Sequence, residues 1–170
     1  MDKFFTIFHA AMQEEKIPKK AIDKKQALLK AEHFCAYQER SQQEVRDKLY
    51  ELGLWGNDVE ETISELIQNN FINEERFAFA YALGKFRMKK WGKIKIKQGL
   101  KLKRVPEKLI VNALKQIDPE DYYETLRTLL EKKETVLTEK NPIKRKFKLI
   151  QYLTGKGFEK DLIISALNNN

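Results

Sequence analysis

Lys93-Ile94-Lys95-Ile96-Lys97-Gln98-Gly99-Leu100-Lys101-Leu102-Lys103 admits two readings, and the choice between them decides the fold. Basic and apolar residues alternate on both sides of a Gln-Gly step, which is the pattern of a cationic β-hairpin. Wound as a helix, the same residues place Lys93, Lys97, Lys101 and Arg104 on one stripe, with Ile96 and Leu100 beside it and Ile94 and Leu102 beyond. A lone hairpin in a chain that otherwise reads helical has no sheet to join. The segment also recurs. Residues 43–54, 94–105 and 147–158 overlay without gaps, so that Val45, Ile96 and Leu149 coincide. Leu49, Leu100 and Leu153 then coincide, as do Leu54, Val105 and Phe158. The helix is therefore the reading adopted.

Outward from this segment the pattern extends to the whole chain. Each copy leads into another helical pattern, ending at Leu66, Leu114 and Leu167, and each follows a longer helix, around 27–38, 74–86 and 122–130. The result is an all-α chain of three tandem three-helix, helix-turn-helix-like units with a period near fifty residues. Units this small do not each bury a sufficient core, so they are expected to stack end to end into an elongated, curved array. The expected divisions are 24–70, 71–117 (the basic unit) and 118–170, with residues 1–23 as an unassigned N-terminal arm.

Boundary signals agree with this division. Ser41 with Glu44 is a capping box, and Asn57 with Glu60 reads as a second one. Asn73 precedes Glu74 and Glu75, whose charges suit a helix start. Asp118-Pro119 and Asn141-Pro142 each set a cap before a first-turn proline, and Gly53 stands where a left-handed stop is needed.

Composition narrows the function classes. Hydrophobic residues make up 42% and charged residues 34%, and seven Gly and four Pro are few for a turn-rich β protein. No stretch reaches the roughly 20 apolar residues of a membrane span. Phe4-Phe5-Thr6-Ile7-Phe8 is too short and runs into Gln13-Glu14-Glu15-Lys16, so no signal peptide is expected. Cys35 is the only cysteine, which excludes an internal disulfide; with no export signal expected either, the cytoplasm is the expected compartment, and a monomer is expected. The net charge is +8, yet residues 85–104 hold ten basic side chains and no acidic one, so removing them leaves −2 for the remainder. Residues 57–75 hold six acidic side chains and no basic one, read as helix capping and solubility. Charge concentrated in this way points to a polyanionic partner or an acidic protein surface.

Four motifs then resemble those of the RecX family. Glu39-Arg40-Ser41-Gln42-Gln43-Glu44-Val45-Arg46-Asp47-Lys48-Leu49, followed by Gly53, is similar to its opening motif. Phe71-Ile72-Asn73-Glu74-Glu75-Arg76-Phe77-Ala78 resembles the second motif, Lys85-Phe86-Arg87-Met88-Lys89-Lys90-Trp91-Gly92 with the helix after it the third, and Lys156-Gly157-Phe158 with Leu162-Ile163 the last. The likeness runs from about Lys24 to Leu167. It departs at Arg104, which stands where the other two units have Gly53 and Gly157, and there a differently built turn is expected. The resemblance implies a non-enzymatic regulator of recombination, DNA repair and the SOS response. Such a protein lodges in the groove of the RecA–DNA filament and inhibits ATP hydrolysis, filament extension and strand exchange.

The residues proposed to contact RecA or DNA are Lys85, Arg87, Lys89, Lys90, Trp91, Lys93, Lys95, Lys97, Lys101, Lys103 and Arg104. Lysine and arginine near phosphates release condensed counterions, and arginine adds bidentate contacts. Phe86 reads as core, whereas Trp91 is open to either core or stacking. Ten cations without a carboxylate repel one another unless something screens them. Lys140, Lys144, Arg145, Lys146 and Lys148 form a secondary patch, equally readable as a solvated face.

Catalysis finds little support. His9 and His33 lack metal-ligand spacing, Cys35 between Phe34 and Ala36 reads as a small buried hydrophobe, and the seven glycines form no phosphate loop. No cofactor and no metal are expected. Two other classes stay open: a stand-alone helix-turn-helix-like DNA-binding protein, and, remotely, a metal-dependent nuclease using Asp58, Glu61 and Glu65. Reversing Lys93, Lys97 and Lys101 to glutamate is expected to leave folding intact while abolishing inhibition of RecA. As buried anchors, Leu49→Ala and Leu153→Ala are each expected to cost roughly 2–5 kcal/mol, measured by thermal melts.

Overall fold

The computed structural model describes residues 22–168, and every regular element among them is an α-helix. In chain order these are α1 (Lys24–Tyr37), α2 (Gln42–Glu51), α3 (Asn57–Gln68), α4 (Glu74–Lys89), α5 (Lys93–Leu102), α6 (Glu107–Lys115), α7 (Pro119–Val136), α8 (Pro142–Lys156) and α9 (Lys160–Asn168). The ambiguous segment is helix α5, with Ile96 and Leu100 fully buried and Leu102 exposed. Alternation alone would have put all four apolar residues on one face; the helix divides them, and the core decides. The apolar N-terminal stretch lies outside the described residues.

Most helix starts follow the caps. Ser41 and Glu44 make both bonds of a capping box, and the side chains of Asn73, Asp118 and Asn141 each accept a first-turn amide. The second expected box does not form. Asn57 is already inside α3, whose N-cap is Gly56 at φ 57°, ψ −129°, a conformation that favours glycine. Glu60 turns away from the backbone to a bidentate pair with Arg46, at 2.7 and 2.9 Å.

The overlay of the middle helices is reproduced bond for bond. The amides of Leu54, Val105 and Phe158 donate to the carbonyls of Leu49, Leu100 and Leu153 at 3.1, 3.2 and 3.2 Å. Those of Gly53, Arg104 and Gly157 donate to Tyr50, Lys101 and Thr154 at 3.0, 2.9 and 2.9 Å. All three turns are the same Schellman-type stop. Arg104 therefore does not change the turn, contrary to the expectation; it adopts φ 59° there, beside 93° for Gly53 and 92° for Gly157. A left-handed arginine carries the strain that glycine avoids.

The three units do not stack uniformly. α1–α3 close over a core of their own, containing Ala27, Ala31, Val45, Leu49, Val59, Ile63 and Leu66. α4–α9 share a second core that runs without a break from Phe77 and Ile96 through Tyr122 and Leu126 to Phe158 and Ile163. The second and third units are joined through backbone. Gly92 and Ile94 amides, at the start of α5, donate to the Lys156 and Gly157 carbonyls at the end of α8, at 2.9 and 3.0 Å. The Lys93 amide donates to the Tyr122 hydroxyl at 2.8 Å, and that hydroxyl donates to Glu159 at 2.6 Å. A Cβ on Gly92 would overlap the backbone of Gly157 and Phe158.

By contrast the seam between the first and second units is polar. Arg76 Nε donates to Glu39 at 2.8 Å, while its other nitrogens donate to the side chain and carbonyl of Asn70, at 2.8 and 3.1 Å. Glu74 accepts from the Gln42 amide at 3.0 Å, and Glu44 accepts from Lys103 at 2.7 Å.

Two outcomes are expected from this geometry. Gly92→Ala forces the α5–α8 junction apart and costs about 3 kcal/mol, whereas Arg104→Gly relieves a strained φ and gains about 0.5–1 kcal/mol. Chemical denaturation of the two variants checks both signs. Denaturation followed separately at Trp55 and Trp91 is expected to be non-coincident, because the two tryptophans belong to units with separate cores.

Candidate polyanion interface

The basic segment lies on α4, α5 and the turns that follow them. α4 begins with Glu74 and Glu75 and ends with Arg87 and Lys89, so its charges complement the helix dipole at both ends. Lys90 then turns the chain at φ 53°, and buried Gly92 opens α5. This path splits the ten cations into separate groups.

Arg87, Lys89 and Lys90 project from the end of α4 and are exposed. Lys85, Lys95 and Lys103 surround Tyr81 and Trp91, where a groove of about 410 Å³ lies between α4 and α5. The Lys85 and Lys95 ammonium groups stand 5.3 and 4.9 Å from the Trp91 ring, and Lys95 also donates to the Gly155 carbonyl at 3.1 Å. Lys97 and Lys101 converge on Glu107, at the start of α6. Lys93 covers the Tyr122 ring at 4.7 Å, and Arg104 is exposed on its turn.

The segment is free of carboxylates in sequence but not in space. Glu107 enters from α6 and Glu44 from α2, so Lys97, Lys101 and Lys103 are paired within the chain. Hydrogen bonds from Lys97 and then Lys101 hold the Glu107 carboxyl below the usual range. Burial pushes the Glu44 carboxyl up, but the bonds from Lys103 and Ser41 outweigh it and leave it below the usual range. Self-repulsion among ten cations is thus partly relieved internally. For the other seven, no ion pair forms among the described residues. Reversing Lys93, Lys97 and Lys101 to glutamate would also crowd Glu107 with like charge. The triple reversal therefore no longer separates binding from folding.

Phe86 is core, as expected. Trp91 is half-buried and packs on the shared core with ammonium groups around its ring, leaving only part of it open to stacking. In the secondary patch, Arg145 closes the end of α7 by donating to the Leu137 and Glu134 carbonyls, each at 2.7 Å. That is a structural role. Lys148 pairs with Glu139 at 2.8 Å and Lys146 reaches Asn168 at 3.3 Å, while Lys140 and Lys144 are exposed. Ile143 and Phe147 are exposed beside them, which the helical pattern alone did not mark.

The remaining chemistry is quiet. Asp58 and Glu61, two of the three acids considered for a metal, both pair with Lys24. Among the described residues no group of three His, Cys, Asp or Glu is placed to hold a metal ion, and no helix is long and apolar enough to cross a membrane. Cys35 is buried, and burial pushes its thiol up to about 11, so it is not a thiolate at neutral pH.

Comparison with known proteins gives this architecture a lineage. Residues 27–66, 73–114 and 120–167 match family models for the first, second and third three-helix domains of RecX. The chain belongs to the RecX family. "Regulatory protein RecX" of Clostridium perfringens strain 13 is 35% identical over 136 residues, covering 77% of this chain and 63% of that protein. "Regulatory protein RecX" of Bacillus mycoides strain KBAB4 is 28% identical over 137 residues, covering 81% and 51%. The aligned region thus spans between half and two thirds of the length of these curated relatives. The crystal structure of RecX from Lactobacillus salivarius superposes with a TM-score of 0.77 at 26% identity, covering 86% of this chain and 95% of that one. A second RecX crystal structure gives 0.78 at 25% identity, covering 85% and 71%. In RecX terms, the main basic groups lie on the second three-helix domain or on the turns next to it.

Two carboxylates in the seam between the first two RecX domains carry pH dependences of opposite sign. Glu44 titrates below its ordinary value, so its contribution is present above that value and is lost as pH falls through the lower, folded-state one. Glu74 is the reverse, since burial raises it and its contribution fades as pH rises. As pH falls below the ordinary glutamate range, the Lys103–Glu44 bridge is expected to open. In single-tryptophan variants, the Trp55 signal of the first domain should then change before that of Trp91.

Proposed function

We propose that this RecX-family protein binds the RecA–DNA filament and inhibits RecA ATP hydrolysis, filament extension and strand exchange. One observation carries the reading: seven cations without an ion-pair partner among the described residues are gathered in and around the second domain. Cations so placed favour a dense linear polyanion, because each phosphate neutralised releases condensed counterions. Family membership supports a regulatory role, in keeping with the names of its relatives.

In this reading the end of α4 makes first contact. Arg87, Lys89 and Lys90 are exposed and bear no core packing, so they can meet phosphate or a partner carboxylate without unfolding anything. The groove at Trp91 supplies an apolar edge beside Lys85 and Lys95.

The test is the ATPase of RecA on single-stranded DNA, titrated with the protein at two salt concentrations. Inhibition is expected at low salt, weakening as salt rises. Arg87→Ala combined with Lys89→Ala should weaken inhibition about tenfold, a loss near 1.4 kcal/mol, with an unchanged thermal melt. A wild-type protein without effect on RecA at low ionic strength would overturn the proposal.

A further inference from the structure

Long lysine side chains do not share one point in space unless an anion draws them together. Lys97 and Lys101 leave α5 one turn apart, and both ammonium groups close on a single carboxylate. Lys97 pairs with Glu107 Oε1, and Lys101 lies 3.2 Å from Oε2. One oxygen thus faces each cation. The two non-bridging oxygens of a phosphodiester can make the same pattern of contacts.

The pair is also easily exchanged. Side-chain exposures of 38% for Lys97, 55% for Lys101 and 51% for Glu107 leave all three in contact with solvent. Exposed pairs of this kind contribute little and are screened by salt. Glu107 makes no other ion pair among the described residues, so turning it outward breaks no further salt bridge.

We propose that Lys97 and Lys101 form one phosphodiester-binding site for DNA, which Glu107 fills in the free protein as an internal competitor. The inference rests on the reading of the second domain as a polyanion-binding surface. Binding at this site exchanges one anion for another, so the wild-type lysines deliver less than their full electrostatic gain. Removing the carboxylate makes both cations available.

The experiment is anisotropy of a labelled thymidine oligonucleotide titrated with the 170-residue chain across a salt series, wild type against Glu107→Gln. The variant should bind about two- to tenfold tighter at low salt. Its log–log salt slope should steepen by about 0.7, the contribution of one phosphate neutralised on a single strand. Adding Lys97→Ala and Lys101→Ala to the variant should abolish the gain. Unchanged or weaker binding by Glu107→Gln would overturn the proposal, and an equal gain toward polyglutamate would overturn its assignment to DNA. Should the variant fold poorly, carbon-13 NMR of the wild-type Glu107 carboxylate gives a second reading. Its signal should move when oligonucleotide is added, and a signal that stays fixed would refute the exchange. The two proposals fail separately. RecA inhibition by a protein whose Glu107→Gln variant binds the oligonucleotide like wild type removes only the competitor, whereas a gain on oligonucleotide without RecA inhibition removes only the filament reading.

Discussion

Backbone hydrogen bonds between the start of α5 and the end of α8 fix how the second and third domains share one core. A helix rich in lysine has a poor first turn, since Lys93 and Lys95 face the positive end of its dipole and no side chain caps it. The chain meets this by supplying backbone carbonyls from the end of α8, where partial negative charge accumulates, and a tyrosine hydroxyl that accepts from the Lys93 amide. Two glycines make the approach possible. Gly92 has no side chain to overlap the neighbouring backbone, and Gly157 takes the left-handed conformation that ends α8 beneath it. Burial and the bond to Glu159 keep the Tyr122 hydroxyl protonated far above its ordinary range, so it remains a donor to that carboxylate.

This fastening has consequences for the cations. Once the start of α5 is fixed, Ile96 and Leu100 are committed to the core and the lysines fall on its two flanks. One flank meets Glu107; the other faces Tyr81 and Trp91. A rigid, shared core behind the basic helices means that the cationic side chains are presented by a platform that does not have to order on binding. The first domain is held differently, by Arg76, Glu44 and Glu74 across a polar seam, with its own core behind it. Its attachment depends largely on charge and therefore on pH and salt, whereas the third domain is held mainly by backbone hydrogen bonds and a shared apolar core.

Arg104 shows how a departure from pattern is absorbed. Backbone bonds identical to those at Gly53 and Gly157 hold it in a left-handed turn, because the flanking Leu100 and Val105 are buried and fix the chain on either side. Local preference yields to packing there, and a cation gains an exposed position on the turn.

Much was legible in the chain itself. The periodic Val45/Ile96/Leu149 and Leu49/Leu100/Leu153 positions determined the three-helix units, since only one helical register buries all of them. Ser41, Asn73, Asp118 and Asn141 marked helix starts because capping is a local bond between near neighbours. The concentration of charge in 85–104 was visible for the same reason: it is a property of consecutive residues. Meetings of residues far apart in the chain were set by helix packing. Glu44 reaches Lys103, Arg145 caps α7, and the second and third units merge into one core while the first stands apart. Even Glu107, three residues past the basic block, meets Lys97 only because the Arg104 turn folds α6 back along α5. Charge along a chain is additive, but pairing depends on distance in space, and distance is set by how the helices pack.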